Sequence, residues 1–292
     1  MEIETNHSSV GEVYNSSTEA TWVTDIVLRT ISNINVDPYV SLKIPAIMFA
    51  LGVFGNVLAL IVLFRAPKEH KQSVFYRLVG ALAATDLLGT CMTSPVTLAV
   101  YANNLRWVGG DALCRYHSFM LTFAGMSTIL IIGVMAAERF CAIIIPYFYN
   151  RHVTKERAKF GVIAVWTLAF IIALLPVIGL GKIEIRYPGS WCFFDFNSRE
   201  IKNQIIPFTF AFIGLTFLLT TIVLNVLVTI SILKMRRRAM RCRGDRTSQK
   251  CSCELQMMVQ MLGIITVFVT CWGPFLVSIY CTFYLFTSFL AE

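Results

Sequence analysis

Asp86, Glu138, Arg139 and Asn56 are the residues most able to do chemistry, because each stands within or at the end of a long apolar run. A charged or amide side chain in hydrocarbon is costly unless it is paired, so by default it marks an ion site, a polar switch or a helix–helix contact. Asp86 requires water, a cation or Asn56 beside it. Asn56 is equally well read as a helix–helix hydrogen bond. Glu138-Arg139 sets a carboxylate beside a guanidinium where an apolar run ends, an arrangement common at any membrane face. Thr97 and Tyr101 lie four residues apart and share one helix face. By residue type alone they are ordinary packing. No catalytic constellation is required, so the chain is not expected to be an enzyme or to carry a cofactor.

The nine cysteines are separated by position. Cys114 and Cys192 fall beside span ends on the outer side of the topology below, where oxidising conditions permit a disulfide, and they are expected to be joined. Cys91, Cys141, Cys271 and Cys281 lie within or near spans and read as small buried hydrophobes. Cys242, Cys251 and Cys253 fall on the cytoplasmic side. Cys251-Ser252-Cys253 lacks the spacing and partner ligands of a structural zinc site, and no metal is expected.

The elements that must position these residues are membrane spans. The chain has 292 residues, 56% hydrophobic and only 14% charged, with a mean hydropathy of +0.67, which is too apolar for a soluble domain. Between Arg115 and Glu138 run 22 residues without Lys, Arg, Asp or Glu, enough helix to cross about 30 Å of hydrocarbon. This third span organises the rest. The first runs from Ile44 to Phe64, the second from Tyr76 to Tyr101, the fourth from Phe160 to Leu180, the fifth from about Ile205 to Leu233 and the sixth from Leu255 to Ile279. Pro274 removes a backbone hydrogen bond in the sixth span and should kink it beside Trp272. Trp272 reads either as the hinge aromatic or as interior packing.

One set of loops holds Arg65, Lys68 and Lys71, then Arg151, Lys155, Arg157 and Lys159, then the basic segment from Lys234 to Lys250. The alternate set offsets fewer cations with Asp111, Glu184, Asp195 and Glu200. The first set is therefore cytoplasmic and the N-terminus extracellular. The net charge of +8 follows from these loops, so membrane lipid rather than nucleic acid is the expected partner. Asn6-His7-Ser8 and Asn15-Ser16-Ser17 match the glycosylation pattern in that outward segment. No cleaved secretory signal is evident, and the first span should act as the targeting signal.

Taken together, Gly55-Asn56, Asp86, Cys114, Glu138-Arg139, Trp166 and Trp272-Gly273-Pro274, in this order on successive spans, resemble the rhodopsin-type G-protein-coupled receptors. Gly189-Ser190-Trp191-Cys192-Phe193 resembles the Gly-Thr-Trp-Cys-Phe motif of the prostanoid branch. Thr85 to Thr90 and Ser94 to Thr97 with Tyr101 are similar to the second helix of the subtype-four prostaglandin E receptors, whereas Cys271 to Leu276 is closer to the prostaglandin F and thromboxane receptors. Phe140 replaces the tyrosine that commonly follows the arginine.

The resemblance implies an all-α integral membrane bundle of the heptahelical receptor type. It also implies a prostaglandin-type lipid acid as ligand, with Thr97, Tyr101, Ser190 and Trp191 as contacts, and a heterotrimeric G protein as partner. Asn56, Asp86, Glu138, Arg139, Trp272 and Pro274 would form the switch. Stimulatory coupling and a rise in cyclic AMP are expected of the complete receptor at the plasma membrane.

The organisation expected is an extracellular glycosylated segment over residues 1–43, a six-span bundle over 44–284 and an outer stub over 285–292. The seventh helix of the family, with its ligand-pairing arginine, is missing from this expectation. A chain of this extent would then be a non-signalling form retained inside the cell. The remaining alternative is an ion-coupled transporter or channel that uses Asp86 as its ion site, although no internal repeat supports one.

Overall fold

The computed structural model describes residues 42–67, 73–196 and 200–242, together with nine helical positions between 262 and 277. Asn6, Asn15, Trp272, Cys271, Cys281, Cys251 and Cys253 lie outside the described residues.

Among the described residues, five long helices carry the first five spans: α1 over Lys43–Arg65, α2 over Val74–Ala102, α3 over Gly110–Ile144, α5 over Lys155–Leu175 and α6 over Ile201–Cys242. A short α4, Pro146–His152, joins α3 to α5. All five are long and apolar enough to cross a membrane. Their ends follow local chemistry. Ala66 adopts an extended ψ of 147° because it precedes Pro67, which disfavours the helical region, and α1 stops there. Pro146 opens α4 at a position whose N–H would have no helical partner. The side chain of Thr154 accepts from the N–H of Arg157 and caps α5. Pro176 ends α5, and a single π turn over Pro176–Leu180 follows.

The apolar residues serve two solvents. Along α1 no residue is buried, and Ile47, Met48, Leu51 and Phe54 are exposed, as lipid-facing side chains are. In contrast α3 has the largest buried share of these five helices and packs against α2, α5, α6 and both strands. At 35 residues it is about 52 Å long, so both ends project past a hydrocarbon core of about 30 Å. Met126, Ile129, Leu130, Ile131 and Met135 of α3 form the centre of the core with Leu78, Phe210 and Leu276.

The structure corrects the sequence reading at three points. The loop after α5 is a β-hairpin, with β1 over Ile183–Arg186 antiparallel to β2 over Trp191–Phe194, set into an otherwise helical bundle. Gly189, at φ +105°, lies so close to the Leu105 carbonyl that a Cβ would sit 2.8 Å from it, so only glycine suits this turn. The basic stretch from Lys234 to Arg241 is a continuation of α6 rather than a loop. Cys91 is exposed on α2 and Cys141 is half-buried, so neither is a fully buried core residue. Of the sixth span, the described positions are helical; Pro274 is among them and is exposed, and Leu276 is buried.

Candidate functional site

The polar side chains gather at three levels of the bundle. At the end carrying the disulfide, Cys114 of α3 and Cys192 of β2 are bonded, with Cα atoms 5.3 Å apart. The bond fastens the hairpin over the helix ends, and aromatic packing seats it: Phe193 and Phe194 stand edge-on to Phe210 of α6 at 5.6 and 5.7 Å. Arg186 Nε donates to the Phe194 carbonyl at 2.9 Å, and its guanidinium stacks 4.4 Å from the Phe196 ring centre. Burial pulls the Arg186 pKa down, opposed by Asp195 and Glu184. On the same hairpin, the hydrogen bond and charge of Glu184 raise the Lys182 pKa.

Of the four expected ligand contacts, Thr97 and Tyr101 lie half-buried on α2, Ser190 is buried in the hairpin turn, and Trp191 is half-buried at the start of β2. The indole of Trp191 donates to the Tyr187 carbonyl at 3.0 Å. Thr97 is tied to β2 by a residue that the sequence reading missed. The imidazole of His117, only 1% exposed, lies 3.3 Å from Thr97 Oγ1 through Nε2, and its Nδ1 accepts the Cys192 N–H at 3.4 Å. Trp107 stands edge-on to it at 5.8 Å. A histidine inside the third span was the available signal; counting only Lys, Arg, Asp and Glu passed over it.

At mid-span, Asp86 does not pair with Asn56. Its Oδ1 accepts from Thr128 of α3 at 2.6 Å, while Asn56 Nδ2 donates to its own helix at Gly52, 3.0 Å away. The close crossing explains the choice: a Cβ on Gly89 would meet the Ala124 methyl at 2.6 Å, so α2 and α3 touch one turn from this pair. Beside it, Trp166 of α5 donates to Thr85 Oγ1 at 3.0 Å, joining a third helix.

At the opposite end, Arg139 and Glu138 form the expected pair, both nearly buried. Nε meets Oε2 at 2.5 Å and Nη2 meets Oε1 at 2.6 Å, a two-point contact. Two further residues complete it. Tyr149 of α4 donates its hydroxyl to Glu138 Oε1 at 2.7 Å, and the Phe75 ring of α2 lies 4.6 Å beneath the Arg139 guanidinium. An open cleft of about 490 Å³ beside Tyr149 is lined by Ser73, Val74, Val153, Thr154, Lys155 and Glu156.

An acid–arginine pair closing the central helix, a mid-span aspartate, and a disulfide from that helix to the hairpin bring together the residues on which the sequence resemblance rests. The 7 transmembrane receptor (rhodopsin family) profile matches residues 55–290. The chain belongs to the rhodopsin family of seven-transmembrane receptors. Its fold is similar to squid rhodopsin, with a TM-score of 0.71 at 19% identity over 84% of this receptor and 72% of that chain. In sequence the receptor is 41% identical to the prostaglandin E2 receptor EP4 subtype of Bos taurus over 207 residues, which are 71% of it and 42% of that relative. It is 42% identical to the Mus musculus EP4 subtype over 70% of its length and 40% of the relative. Against the Oryctolagus cuniculus EP3 subtype it is 33% identical over 82%, covering 61% of that relative. The receptor thus spans about two fifths of the length of the EP4-subtype relatives it matches. Its family is one of multi-pass membrane receptors, not enzymes.

Proposed function

We propose that the receptor binds a prostaglandin-type lipid acid, prostaglandin E2 foremost, and signals through a stimulatory heterotrimeric G protein to raise cyclic AMP. The observation that carries this reading is the coupling of the Thr97 face of α2 to Cys192 of β2, next to Ser190 and Trp191, through His117, alongside 41% identity to a prostaglandin E2 receptor. A flexible lipid acid requires an apolar cleft with a few fixed donors. Thr97 and Tyr101 supply hydroxyls one turn apart, and Ser190 and Trp191 approach from the hairpin. The disulfide-bearing end faces outward at the plasma membrane, because the cation-rich loops at the opposite end favour the cytoplasm. The N-terminal segment, with Asn6 and Asn15 as glycosylation acceptors, lies on that side.

Signalling is a population shift: an agonist that binds the active arrangement more tightly favours it. Asn56 and the Asp86–Thr128 contact act at mid-span, and Trp272 with Pro274 provides the hinge of the sixth span. Arg139 then leaves Glu138 to engage the G protein. The test is to express the full-length protein and measure binding of tritiated prostaglandin E2 together with cyclic AMP. Saturable binding and an agonist-dependent rise are expected. Absence of binding overturns the ligand, and calcium release without cyclic AMP overturns the G protein.

A further inference from the structure

We infer that His117 is a specificity-determining positioning residue that makes Thr97 an obligate donor, so that the site prefers an ionised carboxylate to a neutral ester. The inference rests on the lipid-acid reading above and deepens it. It follows from hydrogen-bond direction. The Cys192 N–H can only donate, so His117 Nδ1 must be the unprotonated nitrogen that accepts it at 3.4 Å. The neutral imidazole then carries its hydrogen on Nε2. That nitrogen stands 3.3 Å from Thr97 Oγ1 and can only donate to it. The Thr93 carbonyl also faces the imidazole and competes for the same hydrogen, but a protonated Nε2 cannot accept from Thr97, so the direction at Thr97 is unchanged.

The Thr97 hydroxyl therefore gives its lone pair to His117 and keeps its single hydrogen for another acceptor. Within the receptor that acceptor is the Thr93 carbonyl, at a long 3.4 Å. A contact at this length is weak. A carboxylate accepts charge-assisted hydrogen bonds, roughly twice as strong as neutral ones, and competes well for that hydrogen. An ester offers only a neutral carbonyl. Because His117 is 1% exposed and held from both sides by α2 and β2, it sets the direction of this hydroxyl before any ligand arrives.

Two variants separate positioning from simple anchoring of the hairpin. In H117N the amide oxygen can still accept the Cys192 N–H, but the shorter side chain cannot reach Thr97. In H117Q the longer amide can donate to Thr97 again. The probes are prostaglandin E2 and its methyl ester, competed against tritiated prostaglandin E2 on membranes carrying the full-length protein, with site number measured by saturation. The ratio of acid to ester affinity is expected to fall about tenfold in H117N, to recover in H117Q, and to be insensitive to H117N once Thr97 is Val. An unchanged ratio in H117N, or an equal loss for acid and ester, overturns the role of His117 while leaving the ligand class standing. A wild-type protein that binds neither probe overturns the lipid-acid reading, and this inference with it.

Discussion

Tyr149 holds Glu138 from outside the central helix: its hydroxyl donates at 2.7 Å to Oε1, the same oxygen that accepts from Arg139 Nη2. The resting contact thus ties α3 to α4 through Tyr149, with the Phe75 ring of α2 against the guanidinium. A hydrogen bond to a charged group contributes about 1.5 to 3 kcal/mol. Losing the lower figure from the resting state alone would raise the active fraction roughly tenfold. Y149F is therefore expected to increase agonist-independent guanine-nucleotide exchange, measured on membranes with a non-hydrolysable nucleotide. Exchange at the wild-type level would show that Tyr149 does not restrain the pair.

The α2–α3 crossing predicts a stability effect. G89A places a methyl 2.6 Å from that of Ala124, and G89V adds more bulk. Overpacking of this kind costs about 1 to 3 kcal/mol, and the helices can relieve it only by separating beside Asp86 and Thr128. The thermal midpoint of the solubilised protein should fall for both variants, more for G89V. A midpoint unchanged in both would mean that the crossing is looser than its geometry.

Breaking the Cys114–Cys192 bond frees a strand that also carries the Cys192 N–H. Such a bond typically stabilises by about 2 to 4 kcal/mol. C114S and C192S should each lose most ligand binding at the surface, and the double variant should be no worse than either alone. Additive losses in the double variant would indicate that the two sulfurs act separately.

Direct ligand contact by the α2 hydroxyls makes a narrower prediction. T97V and Y101F each remove one hydroxyl with little change of shape, so each should weaken lipid-acid binding about tenfold, for a loss of about 1.4 kcal/mol. Equilibrium competition binding decides it, and full affinity in both variants would remove α2 from the carboxylate site.

The sequence made the central helix, the disulfide and the Glu138–Arg139 pair legible, because each rests on a local signal: an uncharged run, two thiols beside span ends, two adjacent opposite charges. The partner of Asp86 was illegible. Thr128 lies 42 residues away and is one of several threonines in apolar sequence, so only the approach at Gly89 selects it. His117 and Tyr149 were missed for a related reason, since each matters through a neighbour on another element. The hairpin strands are four residues each, too short for a two-residue alternation to stand out. Cys91 was placed inside because apolar residues were equated with burial. On a helix surrounded by lipid, the apolar pattern does not say which side faces in.

The unbroken course of α6 past Leu233 to Cys242 changes what its cations are attached to. Nine further residues of helix extend the shaft by about 13 Å. Lys234, Arg236 and Arg237 are exposed near its base. They are therefore mounted on a stiff lever rather than a tether. Any tilt of the shaft within the bilayer sweeps this charge sideways by an amount that grows with distance along it, so a motion too small to disturb packing around Phe210 becomes a large displacement of positive charge where a partner would dock.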